Sequence, residues 1–393
     1  MNPSPEDLLR ARTLGFLIPR PGARPSPRAD DDHLFTAESV GRILRSAGHP
    51  VHDVTSVVRC ISRRRVALAR LADDSHVLLK WPDEDIDVQN DYEPTMLGLL
   101  DELRLPPRVR ASIPRILTVD PWARVVVVDA VAPCPSLHDM LKEENRLPEP
   151  CLTALARVLV ALHGIPVEGI RDRYEDRRLG PPVPRDTVVS TWEYVHGCGL
   201  EFDDYLRAMQ ELEPSFRDLH DQWAPSSLIH FDLGGDNVLF PAERPEGALP
   251  VRLIDWELAG FGDPMYDVGF LVGQLFVGHM RRVRFSIGDS GWLPRLQADV
   301  RAFLRAYSAG APMSAEQLNR AVQYAGIALL VHATVRLQQL GGLGRIGYLC
   351  LHFGKRFVQF PNVVSTLLIG AAGKVGGPDE RLREDLLANS AGN

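Results

Sequence analysis

Apolar and polar positions change period several times along this chain. From Phe35 to Gly48, FTAESVGRILRSAG sets Val40, Ile43 and Leu44 at helical spacing, with Thr36 placed to cap the start and Gly48 to stop it. Residues 51–82 alternate and then run apolar, which predicts strands with turns at Ser62–Arg65 and Ala72–Ser75. Leu97 to Leu105 predicts a helix ended by Pro106 and Pro107. Ile113–Leu117 and Arg124–Val131 predict strands, the second a buried run of valines. Cys151–His163 puts Leu152, Leu155, Val158, Leu159 and Leu162 on one face and reads as a core helix. His163, followed by Gly164, reads as its end rather than as a catalytic group. Residues 167–222 are mixed in charge and poorly periodic. After Asp267 three segments, 268–280, 296–310 and 314–340, carry helical spacing and predict a largely helical body.

The N-terminal 34 residues have a possible short helix over Pro5–Gly15, then four prolines between Pro19 and Pro27 and three aspartates. They read either as a disordered leader or as a strap over the first lobe. At 393 residues the chain exceeds one ordinary core, so two lobes are expected. A composition of 45% hydrophobic and 24% charged residues is that of a soluble globular protein. No apolar run approaches the ~18 residues of a membrane span. Glu6 and Asp7 stand where a signal peptide would be basic, so a cytoplasmic protein is expected. Cysteines 60, 134, 151, 198 and 350 are scattered, which argues against a zinc site or a disulfide framework. A net charge of −7 argues against nucleic acid as a main partner.

The chemistry concentrates in Ser227–Phe240, SLIHFDLGGDNVLF, where His230, Asp232 and Asn237 sit in a glycine-bearing loop between apolar flanks. Residues 251–264, VRLIDWELAGFGDP, follow as a short apolar strand ending in Asp255, and Asp267 comes three residues later. A proton-accepting Asp, with an Asn and an Asp as hard oxygen ligands, is the minimum set for moving a phosphoryl group. The plainer reading makes these a surface turn and a strand cap. Lys80 ends the run Val77–Leu79. Only four lysines occur among 44 basic residues, leaving 44 − 4 = 40 arginines, so a lysine in this position suggests a need for a compact ammonium. The alternative is an edge-strand lysine that discourages aggregation.

Together these residues resemble the aminoglycoside phosphotransferase and choline kinase-like family over roughly Phe35 to residue 340. The resemblance implies an α+β, bilobal protein-kinase-like fold: an N-terminal antiparallel sheet lobe and a larger, mostly helical C-terminal lobe. The expected division is 1–34 as an extension, 35–131 as the nucleotide-binding lobe and 132–393 as the catalytic and acceptor-binding lobe. It implies Asp232 as catalytic base, Asn237 and Asp255 as Mg²⁺ ligands, and Asp267 and His230 as supports of the loop. Lys80 would pair with the nucleotide phosphates and with Glu93, which Pro94 confines to a helix start. Backbone groups from Asp129 to Val131 would bond the adenine edge.

The chain departs from protein kinases in its glycine-free turn CISRRR, where Arg63 or Arg64 would help to cradle phosphates, or simply be solvated. It also has Gly234 two residues after Asp232, and Asp255-Trp256-Glu257 at the metal strand. Glu257 reads equally as a further ligand or as solvent-facing. Glu201–Asp204 reads either as a patch for a cationic acceptor or as a solvated helix start. The implied activity is ATP- and Mg²⁺-dependent phosphorylation of a small-molecule hydroxyl, of antibiotic or aminoalcohol type. Two alternatives stand beside it: a kinase of Ser or Thr in a precursor peptide of a lanthionine-type pathway, and a nucleotide-binding pseudokinase scaffold.

Overall fold

Thr36 begins the ordered chain as a cap: its Oγ1 accepts the Ser39 N–H at 3.1 Å and opens α1 (Ala37–Ser46). Gly48, at φ +69°, closes that segment in the left-handed conformation glycine adopts without strain. The computed structural model describes residues 35–46, 48, 53–59, 66–81, 92–103, 105–120, 125–143, 147–168, 170, 172, 174, 179–182, 203–242, 249–282, 291–340 and 342–369. The N-terminal extension, the turn at 60–65 with Arg63 and Arg64, residues 201 and 202, and the tail from 373 lie outside them. The described chain forms two compact units: residues 35–137 with 236–259, and residues 138–235 with 260–369.

The first unit is built on a five-stranded antiparallel sheet: β1 (Val54–Arg59), β2 (Val66–Leu71), β3 (His76–Lys80), β4 (Ile116–Asp120) and β5 (Val125–Ala130), in the order β1-β2-β3-β5-β4. Register follows the period-two pattern, with Leu68 opposite Leu78 and Val66 opposite Lys80. Ala67, Ala69, Leu71, Val77, Leu79, Val125 and Val127 therefore share one face, packed with Val40, Ile43 and Leu44 of α1. Burying each such leucine contributes ~1.5–3 kcal/mol. Lys80 projects from the opposite face.

Two expectations need correction here. The helix after Lys80, α2 (Tyr92–Glu102), stops before the prolines, and Pro107 instead opens α3 (Pro107–Arg110) as its first residue. Strand β4 begins at Ile116 rather than Ile113. The Arg110 guanidinium takes the carbonyls of Ile113 and Pro114 at 2.8 and 3.2 Å, so these are occupied away from the sheet ladder. Residues 236–259 join this unit through β7 (Val238–Leu239) and β8 (Arg252–Leu253). Leu253 N–H bonds Ser112 O at 2.8 Å and Phe240 N–H bonds Pro135 O at 3.0 Å.

The second unit contains α4 (Leu137–Glu143), which begins at the boundary, α5 (Glu149–His163), α6 (Asp203–Asp221), the antiparallel pair β6 (Ser227–Ile229) and β9 (Gly260–Gly262), and α7 (Pro264–Arg282) to α11. The last four helices are α8 (Trp292–Ser308), α9 (Ala315–Leu340), α10 (Gly344–Gln359) and α11 (Pro361–Ile369). Helix α9 crosses α7 at Gly269, where a Cβ would lie 2.1 Å from Ala321 O. It crosses α10 at Gly354, where a Cβ would lie 3.0 Å from Gly326 O. Only a missing side chain permits backbones that close. Helix α6 arises in the stretch that looked aperiodic. Its Leu206, Met209, Leu212, Phe216 and Leu219 are buried at helical spacing despite Pro214.

Candidate active site

In the sheet unit, Lys80 ends β3 and Glu93 lies in the first turn of α2. Lys80 Nζ donates to Glu93 Oε2 at 2.5 Å and to Asp255 Oδ1 at 3.0 Å. Glu93 uses its other oxygen to accept the Trp256 N–H at 3.1 Å, which ties α2 to the residue after Asp255. Burial works against the ammonium charge, yet the two carboxylates outweigh it and raise the lysine pKa above its usual 10.5. Asp255 is 3% exposed and Asn237 4% exposed. They flank the β7–β8 pair, and Asn237 O accepts the Ile254 N–H at 3.0 Å. Asp255 has φ +70°, a left-handed conformation that costs a non-glycine residue about 1–2 kcal/mol and aims its side chain away from an ordinary strand course. Lys80, Glu93, Asn237 and Asp255 thus all belong to one unit. Glu257 is exposed.

Asp129 serves the fold of this unit. Its carboxylate accepts Arg252 Nη2 at 2.6 Å and the Arg115 N–H. Its own N–H goes to Arg115 O at 2.9 Å, and its carbonyl accepts Arg252 Nη2 at 3.1 Å. The Asp129 N–H is therefore already committed, and Val131 stands half-buried just past the end of β5. Arg252, buried on a two-residue strand, is a residue that sequence reasoning did not single out.

In the helical unit, the loop after β6 carries His230, Phe231 and Asp232. Asp267, fully buried in the first turn of α7, accepts the His230 N–H at 2.8 Å and the Phe231 N–H at 2.9 Å. Those two bonds hold Phe231 at φ +66°. Its ring lies 4.6 Å from that of Tyr266, whose phenol is held far above its usual pKa by burial and then by the charges of Asp232 and Asp267. His230 Nδ1 accepts the Asp232 N–H at 3.3 Å and so positions the backbone rather than a proton in flight. Asp232 is half-buried, its neighbours on both sides buried.

His163 adds a support that the sequence did not disclose. It ends α5 as expected, but its Nε2 lies 3.3 Å from Asp267 Oδ2 and its Nδ1 2.7 Å from Tyr307 Oη. Asp263, one residue before α7, pairs with Arg320 at 2.7 Å and accepts the Met265 N–H at 3.0 Å. Burial raises the Asp263 pKa above the usual carboxylate value, partly offset by Arg320.

A sheet whose middle strand ends in a carboxylate-paired lysine, and a helical unit with a His-Phe-Asp loop braced by a helix-borne aspartate, are features of a protein-kinase-like fold. Residues 133–313 match the phosphotransferase enzyme family. Solved structures share the fold. Choline kinase from Cryptosporidium parvum Iowa II is 10% identical, with 85% of this chain and 100% of that chain covered and a TM-score of 0.54. The streptomycin-ATP-APH(2")-IIa ternary complex is 15% identical, covering 85% and 99%, with a TM-score of 0.50. Aminoglycoside 2'-phosphotransferase-IIIa in its GDP complex is 16% identical, covering 81% and 98%, with a TM-score of 0.50. Acyl-CoA dehydrogenase family member 10 of Mus musculus is 29% identical over 131 residues, which is 31% of this chain. The chain spans only 11% of the length of that curated relative. Among the described residues no helix is long and apolar enough to cross a membrane.

Proposed function

We propose that the protein transfers the γ-phosphoryl group of ATP, with Mg²⁺, to a hydroxyl of a small molecule in the cytoplasm. The observation that carries the reading is the pairing of Lys80 with both Glu93 and Asp255. It pre-positions an ammonium for the nucleotide phosphates beside the strand that ends in Asp255. The donor chemistry fits the metal. One carboxylate and one amide, Asp255 and Asn237, suit an ion that keeps water and phosphate oxygens as its other ligands. Bound by Asn237 and Asp255, Mg²⁺ would neutralise phosphate charge.

The remaining work falls to the chain's own residues. Asp232 orients the acceptor hydroxyl and takes its proton as the O–P bond forms and the bond to the β-phosphate oxygen breaks, leaving ADP. Asp267 and His230 hold the backbone that presents Asp232. Val131 offers backbone groups to the base. The peptide-acceptor reading rested on the Pro-rich leader and the glycine-free turn, both outside the described residues, and no described feature favours it.

The test is ATP consumption by purified protein against a panel of hydroxyl compounds, with phosphorylated product identified by mass. Asp232→Asn should lower the rate ~10²–10⁴-fold, as expected on losing a general base, with melting unchanged. Equal rates for the two proteins would sink the proposal.

A further inference from the structure

The segment from Asp129 to Ser136, which contains Val131, is tied at both ends to the hairpin that carries Asn237 and Asp255. At its start Arg252 of β8 donates Nη2 to the Asp129 carboxylate at 2.6 Å and to the Asp129 carbonyl at 3.1 Å. Its Nη1 goes to Ala111 O at 3.2 Å, so the same side chain reaches the residue that closes α3. At the far end the Phe240 N–H bonds Pro135 O at 3.0 Å, and Ser136 bridges to Leu239 of β7. Asn237 lies two residues before Leu239, and Asp255 three residues after Arg252. All of these residues belong to the sheet unit.

Stability alone does not explain an arginine in this place. Val251 and Leu253 on either side are buried, and Arg252 itself is 7% exposed. Burying a guanidinium costs heavily in lost hydration, and an apolar side chain of similar volume often serves the fold as well. What an apolar side chain lacks is a directed contact with the strand end. The turn downstream depends on such contacts. Asp255 holds φ +70°, a conformation that persists only where its surroundings over-determine it. The Leu253 N–H is fixed by Ser112 O at 2.8 Å and the Ile254 N–H by Asn237 O at 3.0 Å. Beyond Asp255, the Trp256 N–H is fixed by Glu93 Oε1 at 3.1 Å. Arg252 extends this series to Asp129, so a shift of the backbone there is passed to the residues that lead into Asp255.

We propose that Arg252 is a positioning residue that couples the two ends of the nucleotide site. With the base held at Val131, Arg252 fixes the hairpin in the arrangement that presents Asn237 and Asp255 to a metal-bound triphosphate. The reverse follows by thermodynamic reciprocity. The backbone ties at Pro135 and Ser136 survive its loss, but they hold only the other end of the segment. The inference rests on the nucleotide reading above, and adds to it a residue that acts through Asp129 and β8 rather than on the nucleotide.

A nucleotide cut in two tests this without turnover. Adenosine and the Mg²⁺ complex of inorganic tripolyphosphate are each titrated calorimetrically into the full chain, alone and with the other saturating. In the wild type each should tighten the other about fivefold or more, within the usual range of coupling between sites. Arg252→Met keeps much of the volume and none of the donors. In it the factor should fall to within about twofold of one, while each fragment alone binds within about threefold of wild type. Arg252→Lys, a point charge in place of a fork, should lie between. So should Asp129→Asn, which keeps the acceptor oxygen and loses its charge; it replaces the methionine variant should that one fail to fold in a thermal melt. A residue that merely stabilised the fold would weaken both fragments together and leave the factor unchanged, and that result overturns the proposal. A wild-type factor near one does the same, with the nucleotide reading intact. If either fragment fails to bind, or Asp255→Asn leaves tripolyphosphate binding unmoved, the nucleotide reading itself is overturned and the coupling with it.

Discussion

Replacing Asp267 by Asn tests how the loop bearing Asp232 is held. In the native protein the carboxylate accepts three donors: the His230 N–H at 2.8 Å, the Phe231 N–H at 2.9 Å and His163 Nε2 at 3.3 Å. The site is fully buried, so water cannot replace a lost partner. An asparagine has one carbonyl oxygen. Placed where Oδ2 stood, it keeps His230 and His163 but turns its NH₂ towards the Phe231 N–H, donor against donor. One buried N–H left unsatisfied costs about 1–3 kcal/mol, and the two surviving bonds lose their charge assistance, for a total of roughly 3–4 kcal/mol. For a unit of this size that is a fall in Tm of about 6–15 °C. Phe231, no longer clamped at φ +66°, would relax towards an ordinary conformation and swing Asp232 with it, so activity should fall further than stability requires. Thermal melts and ATP turnover, both measured well below the variant's Tm, separate the two effects. A variant that melts within 2 °C or so of wild type, where a shift several times larger is expected, would refute the accounting. So would unchanged turnover.

Glu93→Gln removes the stronger of two carboxylate partners from Lys80 and should lower ATP affinity at least tenfold, read by nucleotide titration. Because the folded pKa of Lys80 lies above 10.5, the stability its pairing contributes is present below 10.5 and is lost as pH rises through the folded value. The Glu93→Gln destabilisation should accordingly shrink at strongly alkaline pH, which urea melts would show. Gly269→Ala forces a methyl to within 2.1 Å of Ala321 O, where backbone must move, and should cost at least ~1–3 kcal/mol. Gly98→Ala on α2, with nothing within 4 Å of the added Cβ, should instead be neutral or stabilise by up to ~1 kcal/mol. His332, with a folded pKa of about 3, stays neutral while the unfolded chain takes up a proton below about 6.5, so stability should fall as pH drops from 6.5 towards 3. His332→Gln should flatten that slope in acid titrations of Tm, and an identical slope would count against it.

What could be read from the chain alone was local. The alternation of β2 and β3, the cap at Thr36 and the stop at Gly48 are set by neighbouring residues, and so is the confinement of Glu93 to a helix start by Pro94. Asp232, Asn237 and Asp255 stood out because their spacing is unusual for a turn. Supports made by distant residues were not readable. His163 looked like a helix end because its partners Tyr307 and Asp267 lie 144 and 104 positions away. Arg252 sat unnoticed in a short strand because its partner Asp129 is 123 positions distant. Helix α10 escaped notice because glycines 344, 347 and 354 break its apolar pattern; Gly354 is there for a close crossing, not for a turn. Pro106 and Pro107 misled for the opposite reason: a proline stops one helix and starts another equally well, and only the course of the following backbone decides.

The membership of residues 236–259 in the sheet unit has a consequence for how the protein is made. Lys80 leaves the ribosome 175 positions ahead of Asp255, and at about 5–20 residues per second that is a wait of roughly 10–35 seconds. Once residue 130 has emerged, the five strands stand complete for the rest of that wait while Lys80, Asp129 and the Ser112 carbonyl lack their later partners. The nascent sheet must therefore endure as a partial structure until the hairpin arrives to finish it, and slowing or arresting translation short of residue 259 should leave it open to proteases and chaperones.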